Sequence, residues 1–243
     1  MKIVVISLAK SQDRCAKVVE KLCSKNIEFE FLDAVDGRTD SHPYLKKHNE
    51  KSHLINCRRK AIPGELGCYV SHLLSWEKCV ALNEPLVILE DDFSITVDFA
   101  AGLSFVAPYL NKVSFIRLEK LESNFYLSTP YKNEKFALVK QIKVAKCMTG
   151  YIITPHGAKA LLAKGREICM PIDLYLRYTV IHGQLIYALT PDIVRSSGAT
   201  SVIGFEAKCL REKGFILRIK HFIRRWAYSI SSLVVNITNA CIP

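Results

Sequence analysis

No stretch of the chain reaches the roughly 18 consecutive apolar residues that a membrane-spanning helix needs. No membrane-spanning helix is therefore expected within it. The opening MKIVVISLAK carries a very short apolar run that turns polar at once. It lacks the longer apolar core and small-residue cleavage site of an export signal, and reads instead as a first strand. The nine cysteines include no C-x-x-C pair and their number is odd. A disulfide framework is therefore not expected, and reduced, mostly buried thiols are. His42, His48, His53 and Cys57 fit no common zinc spacing, so a polar loop is expected there. There is no internal repeat, no low-complexity tract, no zinc finger and no interleaved aromatic and basic strand of the kind that binds nucleic acid. Acidic residues are also scarce beside basic ones, 23 against 34.

What the chain does contain is a long apolar complement, 49% of its 243 residues, enough for one sizeable core. The formal net charge of +11 suits phosphate-bearing partners without choosing among them. Lys2 to Leu8 reads as a buried strand, Ser11-Gln12-Asp13 as a helix start, and Phe29 to Leu32 as a second strand leading into the turn DAVDG. This strand, helix, strand opening is that of an α/β sheet with crossover helices. Thr39 to Pro63 reads as a long polar loop, and Gly64 to Leu82 as a helix ended by Pro85. Leu86 to Leu89 is a short strand buried on both faces. Ser114 to Glu119 and Thr149 to Thr154 are further strands, with short strands and turns between Phe125 and Val144. Helices are expected over PHGAKALLAKG and from Pro171, then a strand over Gln184 to Leu189.

The segment VILEDD poses the main chemical question. An apolar strand runs straight into Glu90, Asp91 and Asp92. In open α/β sheets ligands bind beyond the carboxyl ends of the strands. Adjacent carboxylates repel one another unless a cation lies among them, and hard oxygen ligands suit Mg²⁺ or Mn²⁺. An ordinary acidic turn, pairing with surface lysines, would have the same composition.

The order of motifs decides between these. ISLAKSQDR is followed by DAVDG, GELGCYVSHLLSW, VILEDD, Arg117 to Glu119, TGYIITPHGAKALL, PID and ALTP. In this order, from about Ile6 to Ile203, the chain resembles the bacterial members of glycosyltransferase family 25, which extend lipooligosaccharide. The resemblance implies an α/β, GT-A-like nucleotide-sugar-binding fold with a mixed, mostly parallel central sheet flanked by helices. It implies inverting transfer of a hexose, most often galactose from UDP-galactose, to a sugar hydroxyl of a lipid-linked acceptor. Glu90 and Asp91 are then expected at the donor diphosphate, with Asp92 as the ligand of Mn²⁺ or Mg²⁺.

Other candidates follow. Ser7, Leu8 and Arg14 lie at a strand-to-helix turn, where free backbone N–H groups suit phosphate or uracil. Asp36 and Gly37 form a strand-end turn suited to ribose hydroxyls, although Asp-Gly is also simply a good turn. Ser71 and His72 face away from the main apolar stripe of their helix and are expected toward the donor, with a structural buried histidine as the alternative. Trp76 is expected in the core. Glu119 and Asp173 compete for the general base that an inverting transfer needs. Asp173 is preferred, at a helix start expected to keep it ionised, and Glu119 then holds the donor sugar.

The division expected is 1–208 as the transferase domain and 209–243 as a basic amphipathic helical tail. From Arg211 to Val235, Phe215, Ile219, Phe222, Ile223, Trp226, Ile230 and Leu233 recur at helical spacing among arginines and lysines. Such a helix suits an anionic membrane surface, or packing on the domain or in a homodimer. The expected setting is cytoplasmic, at the inner face of the membrane. A non-catalytic relative and a nucleic-acid-binding or other polyanion-binding protein are the competing readings.

Overall fold

The computed structural model describes residues 1–121, 125–197 and 212–238. Cys209, Arg211, Cys241 and the end of the family-like region at Ile203 lie outside them. The sheet is built from β1 (Lys2–Ser7), β2 (Glu30–Asp33), β3 (Leu86–Glu90), β5 (Phe115–Arg117), β6 (Tyr126–Lys132), β7 (Ala137–Gln141), β8 (Gly150–Ile153) and β9 (Tyr187–Thr190). Their order is β2-β1-β3-β8-β5-β9-β7-β6. Strands β2, β1, β3, β5, β9 and β6 run one way, with β8 and β7 antiparallel among them. The fold is thus the mixed, mostly co-directional α/β sheet expected from the sequence.

Strand periodicity divides the core in two. Val4, Ile6, Leu86, Ile88, Tyr151 and Ile153 face one side of the sheet. Ile3, Val5, Val87, Leu89 and Ile152 face the other. Both sides are covered, which is why these strands read as unbroken apolar runs rather than as alternating ones. On the first side lie α3 (Pro63–Leu82), α5 (Pro155–Gly165) and α6 (Ile172–Arg177). On the second lie α1 (Gln12–Cys23) and α4 (Phe99–Val106). Trp76 is fully buried, as expected, and its indole N–H donates to the Tyr151 hydroxyl at 2.9 Å.

Two glycines explain how the DAVDG turn is fixed. A Cβ on Gly37 would lie 1.8 Å from the Pro63 carbonyl oxygen, and one on Gly67 would lie 2.2 Å from that of Val35. The turn and α3 therefore meet backbone to backbone. Pro63 suits the first position of α3, and Asn83, at φ 51°, ends the helix in the left-handed region.

The expectation of a loop from Thr39 to Pro63 is corrected. The segment contains a 3-10 turn, Pro43–Lys47, and α2, Glu50–Cys57. The buried face of α2 is formed by His53 and Asn56, so no apolar periodicity announces it. α4 and a two-stranded ribbon of β4 (Phe93–Ile95) with β10 (Val194–Ser196) are also additions to the sequence reading. Among the described residues the remaining α-helices are α7 (Thr179–His182) and α8 (Phe215–Thr238), which packs on α2 and α7. Among the described residues no helix is long and apolar enough to cross a membrane. The seven described cysteines are free thiols. Burial pushes the Cys57 thiol up to about 12 and the Cys169 thiol to about 11.

Candidate active site

The parallel strands β1, β2 and β3 end on the same edge of the sheet, because Ser7 pairs with Asp33 and Ile6 with Glu90. The acidic triplet leaves β3 at that edge. Its three carboxylates meet three different environments.

Asp91 is held from the first strand and helix. The Ser7 hydroxyl donates to its Oδ2 at 2.8 Å and the Arg14 guanidinium to its Oδ1 at 2.9 Å. Ser7 and Arg14 therefore reach the site as partners of Asp91. The Leu8 carbonyl accepts the Ser11 N–H at 2.8 Å, closing the turn into α1.

Glu90 turns toward α3. Its Oε1 lies 3.3 Å from His72 Nε2 and accepts from the Cys68 thiol at 3.7 Å. His72 Nδ1 lies 2.9 Å from the Tyr151 hydroxyl. Ser71 accepts the Val35 N–H at 2.9 Å and donates to the Gly67 carbonyl at 2.7 Å. Both Ser71 and His72 are wholly buried, and His72 is the buried, hydrogen-bonded histidine that the sequence left as the alternative. They support the site from beneath: Ser71 ties the DAVDG turn to α3, and His72 braces Glu90.

Asp92 differs from both. Its backbone carbonyl accepts the Ser197 N–H at 2.7 Å, joining it to the end of β10. Its buried Oδ1 has no hydrogen-bond partner among the described residues. Burial pushes its pKa up, and the neighbouring Glu90 and Asp91 push the same way, against Arg14. An unmet, desolvated acceptor beside two more carboxylates is a donor set that fits a small hard cation. Cys68, His72 and Glu90 also converge, with ligand atoms within 4.8 Å of one another. They already satisfy one another, and burial followed by the charges of Glu90 and Asp173 drives the Cys68 thiol well above its ordinary value. Metal binding needs the thiolate, so the oxygen-rich side at Asp92 is the better cation site.

The two base candidates are separated by their partners. Glu119 Oε2 accepts from Arg117 Nε at 2.9 Å and from its NH2, while Oε1 accepts the Gly150 N–H at 2.9 Å. The pair is buried, and Arg117 also reaches the Ala145 carbonyl at 3.0 Å. Glu119 is thus committed to the wall formed by β5 and β8. Asp173, in the first turn of α6, accepts the Leu174 N–H at 2.7 Å. The helix start was expected to favour its charged form. Burial outweighs that N–H and the nearby Lys146, and the pKa is raised. Asp173 and Glu90 both raise the pKa of the Cys68 thiol.

Asp36 lies farther along the edge. Lys10 pairs with its carboxylate, and the Arg38 N–H donates to it at 2.9 Å. These contacts hold its pKa below the ordinary range. Gly37 is the close-contact position at Pro63 already described. Sequence reasoning missed the buried Arg59–Glu65 pair at the start of α3, in which Arg59 NH1 donates to Glu65 Oε2 at 2.7 Å. An arginine six residues before a helix glutamate offers no pattern to read. The Tyr151 link to His72 depends on two elements that are distant in sequence.

The sequence profile of glycosyltransferase family 25 (LPS biosynthesis protein) matches residues 1–176. A glycosyltransferase 25 family member of Aedes aegypti is 27% identical over 193 residues, covering 72% of this chain. The chain spans only 30% of that relative's length. The lipooligosaccharide biosynthesis protein lic2B of Haemophilus influenzae is 33% identical over 210 residues, covering 80% of this chain and 75% of lic2B. Among solved structures, a glycosyltransferase involved in the glycosylation of the major capsid of PBCV-1 aligns with a TM-score of 0.42 at 10% identity. That alignment covers 86% of this chain and 97% of the other.

Proposed function

Because the chain belongs to glycosyltransferase family 25, we propose that it transfers a hexose from a UDP-sugar to a hydroxyl of a lipid-linked oligosaccharide. Galactose from UDP-galactose is the foremost donor, a lipooligosaccharide the acceptor, and the anomeric centre inverts. The reading is supported by lic2B, a relative named for lipooligosaccharide biosynthesis. The observation that carries it is the buried carboxylate oxygen of Asp92 at the end of β3, without a hydrogen-bond partner among the described residues.

Asp92, with Glu90 beside it, would hold Mn²⁺ or Mg²⁺. A divalent ion so bound supplies positive charge that offsets the charge gathering on a departing diphosphate. Ser7 and Arg14 keep Asp91 in place, and the edge from Leu8 to Asp36 and Gly37 is where the nucleoside would lie. The acceptor oxygen bonds to the anomeric carbon as the bond from that carbon to the diphosphate oxygen breaks. UDP leaves with the electron pair, and the hydroxyl proton passes to Asp173. A raised pKa brings Asp173 nearer the working pH, as suits a base. Glu119, locked to Arg117, shapes the wall on the donor-sugar side. The work takes place at the inner face of the cytoplasmic membrane, where such an acceptor is presented.

The test is UDP release measured with one sugar nucleotide at a time, with and without a lipooligosaccharide acceptor. Release is expected to need Mn²⁺ or Mg²⁺, and to fall by about 100-fold or more in Asp92→Asn. The variant is expected to melt no lower than the parent, because the lost charge was an unfavourable one. Full turnover by that variant, or in excess chelator, would remove the metal role. Donor binding without turnover across a panel of acceptors would favour a non-catalytic relative.

A further inference from the structure

The last helix is docked the wrong way round for a helix that serves only the core. The residues of α8 that turn inward are largely polar. The Ser232 hydroxyl accepts the Val180 N–H at 3.2 Å, the Asn236 amide donates to the Ile142 carbonyl at 2.8 Å, and His221 Nδ1 lies 3.0 Å from the Ile55 carbonyl. Tyr228 packs on Tyr178 with ring centroids 5.0 Å apart. The outward stripe is apolar: Phe222 is 60% exposed, Ile223 61%, Trp226 54% and Ile230 52%. A surface helix ordinarily buries its apolar stripe and wets its polar one, and among the described residues nothing covers this face.

The charges say what fits it. α8 contains no aspartate or glutamate. On the helical wheel the exposed Lys220 flanks the apolar stripe on one side, and the exposed Arg218 and Arg225 flank it on the other. A second copy laid face to face would bring these same cations together and repel. An anionic lipid surface takes the apolar stripe and the flanking cations at once. Next to the helix is a cavity of about 240 Å³, with Ile142, Tyr178 and Leu233 in its walls and the cations Lys143 and Arg177 among its lining. Leu233 belongs to both the cavity and the outward stripe, so the apolar surface continues inward beside further positive charge.

We propose that the outward face of α8 inserts into the interface of an anionic bilayer, with Phe222, Ile223, Trp226 and Ile230 among the acyl chains and Arg218, Lys220 and Arg225 at the headgroups. The proposal concerns where the protein binds, and stands whether or not the reaction is hexosyl transfer. The test uses the full chain with vesicles of phosphatidylcholine mixed with phosphatidylglycerol, and of phosphatidylcholine alone. No sugar nucleotide is present, so failure here leaves the catalytic reading untouched. Co-sedimentation is expected with the anionic vesicles, together with a blue shift of tryptophan emission. That shift reports Trp226, because Trp76 is fully buried. Replacing Arg218, Lys220 and Arg225 together by glutamine is expected to weaken vesicle affinity by about 100-fold. Phe222→Ser with Ile223→Ser is expected to abolish the shift, and both variants should melt as the parent does. Raised salt should weaken the parent's binding, an arm that needs no variant. Absence of binding to anionic vesicles, equal binding to both kinds, or a lipid-free dimer by light scattering with Trp226 already blue-shifted would each overturn the proposal.

Discussion

At the residue scale, two carboxylates that look alike in the sequence make opposite demands on the fold. Glu119 and Arg117 are buried together and share two hydrogen bonds. Removing one charge strands the other, and the cost of breaking such a pair is about 3–5 kcal/mol. Glu119→Gln is therefore expected to lower the melting temperature sharply, with any loss of activity following the loss of fold. Asp173→Asn removes a charge that burial disfavours, so thermal melting should show little loss. Its turnover should fall by about 100-fold or more, the contribution of a general base. Asp173 also fixes the acid side of the pH profile. Its raised pKa means that the ionised base is lost as pH falls through a value above that of an ordinary aspartate. The acid limb of kcat should lie correspondingly high. An Asp173→Asn enzyme with parental kcat, beside a folded but dead Glu119→Gln, would reverse the two roles.

At the scale of elements, the site depends on how the DAVDG turn meets α3. Gly67→Ala would place a methyl 2.2 Å from the Val35 carbonyl oxygen and 2.6 Å from the Gly37 nitrogen. Main chain has to move, and overpacking of this kind costs about 1–3 kcal/mol or more. Thermal unfolding of Gly67→Ala is expected to show that loss, with a weakened apparent KM for the donor. The same comparison shows what was readable in advance. β1, β3 and β8 were legible because burial on both faces demands unbroken apolar residues. α3 was legible from its recurring apolar residues, Leu66 to Trp76, and from Pro85 beyond its end. α2 was not, because its buried positions are a histidine and an asparagine. α4, with FAAGLSFV apolar all round, has no stripe to reveal its period. The ribbon of β4 and β10 has only three residues in each strand. In the site, the acidic triplet stands out because charge follows directly on a strand. Its sorting into three environments does not, since Ser7, Arg14, Cys68 and His72 reach it from other elements.

At the scale of the whole molecule, two buried histidines make the fold sensitive to acid. Burial, then the nearby His48 and Arg59, depresses His53 to about 3, and burial depresses His182 to about 4. His182 Nε2 lies 3.2 Å from the Leu176 carbonyl and Nδ1 accepts the Gln184 N–H at 3.1 Å, an arrangement that only the neutral ring satisfies. The unfolded chain takes up protons on these rings near pH 6.5 and the folded one does not. Stability is therefore retained above that pH and lost below it, by at most about 2 kcal/mol for each ring at pH 5. Asp92 and Asp173, whose pKa values are raised, act in the opposite sense as they protonate at lower pH. Melting temperatures measured from pH 7 to pH 5 should fall, and His182→Gln should flatten the slope; a level profile in the parent would contradict this. The bare contact of Gly37 with Pro63 and Gly67 sets a different kind of limit. What any added side chain would strike there is main chain, which no substitution elsewhere can trim. A side chain at either position therefore has to be accommodated by a shift of the backbone itself, in the turn or in the first turns of α3.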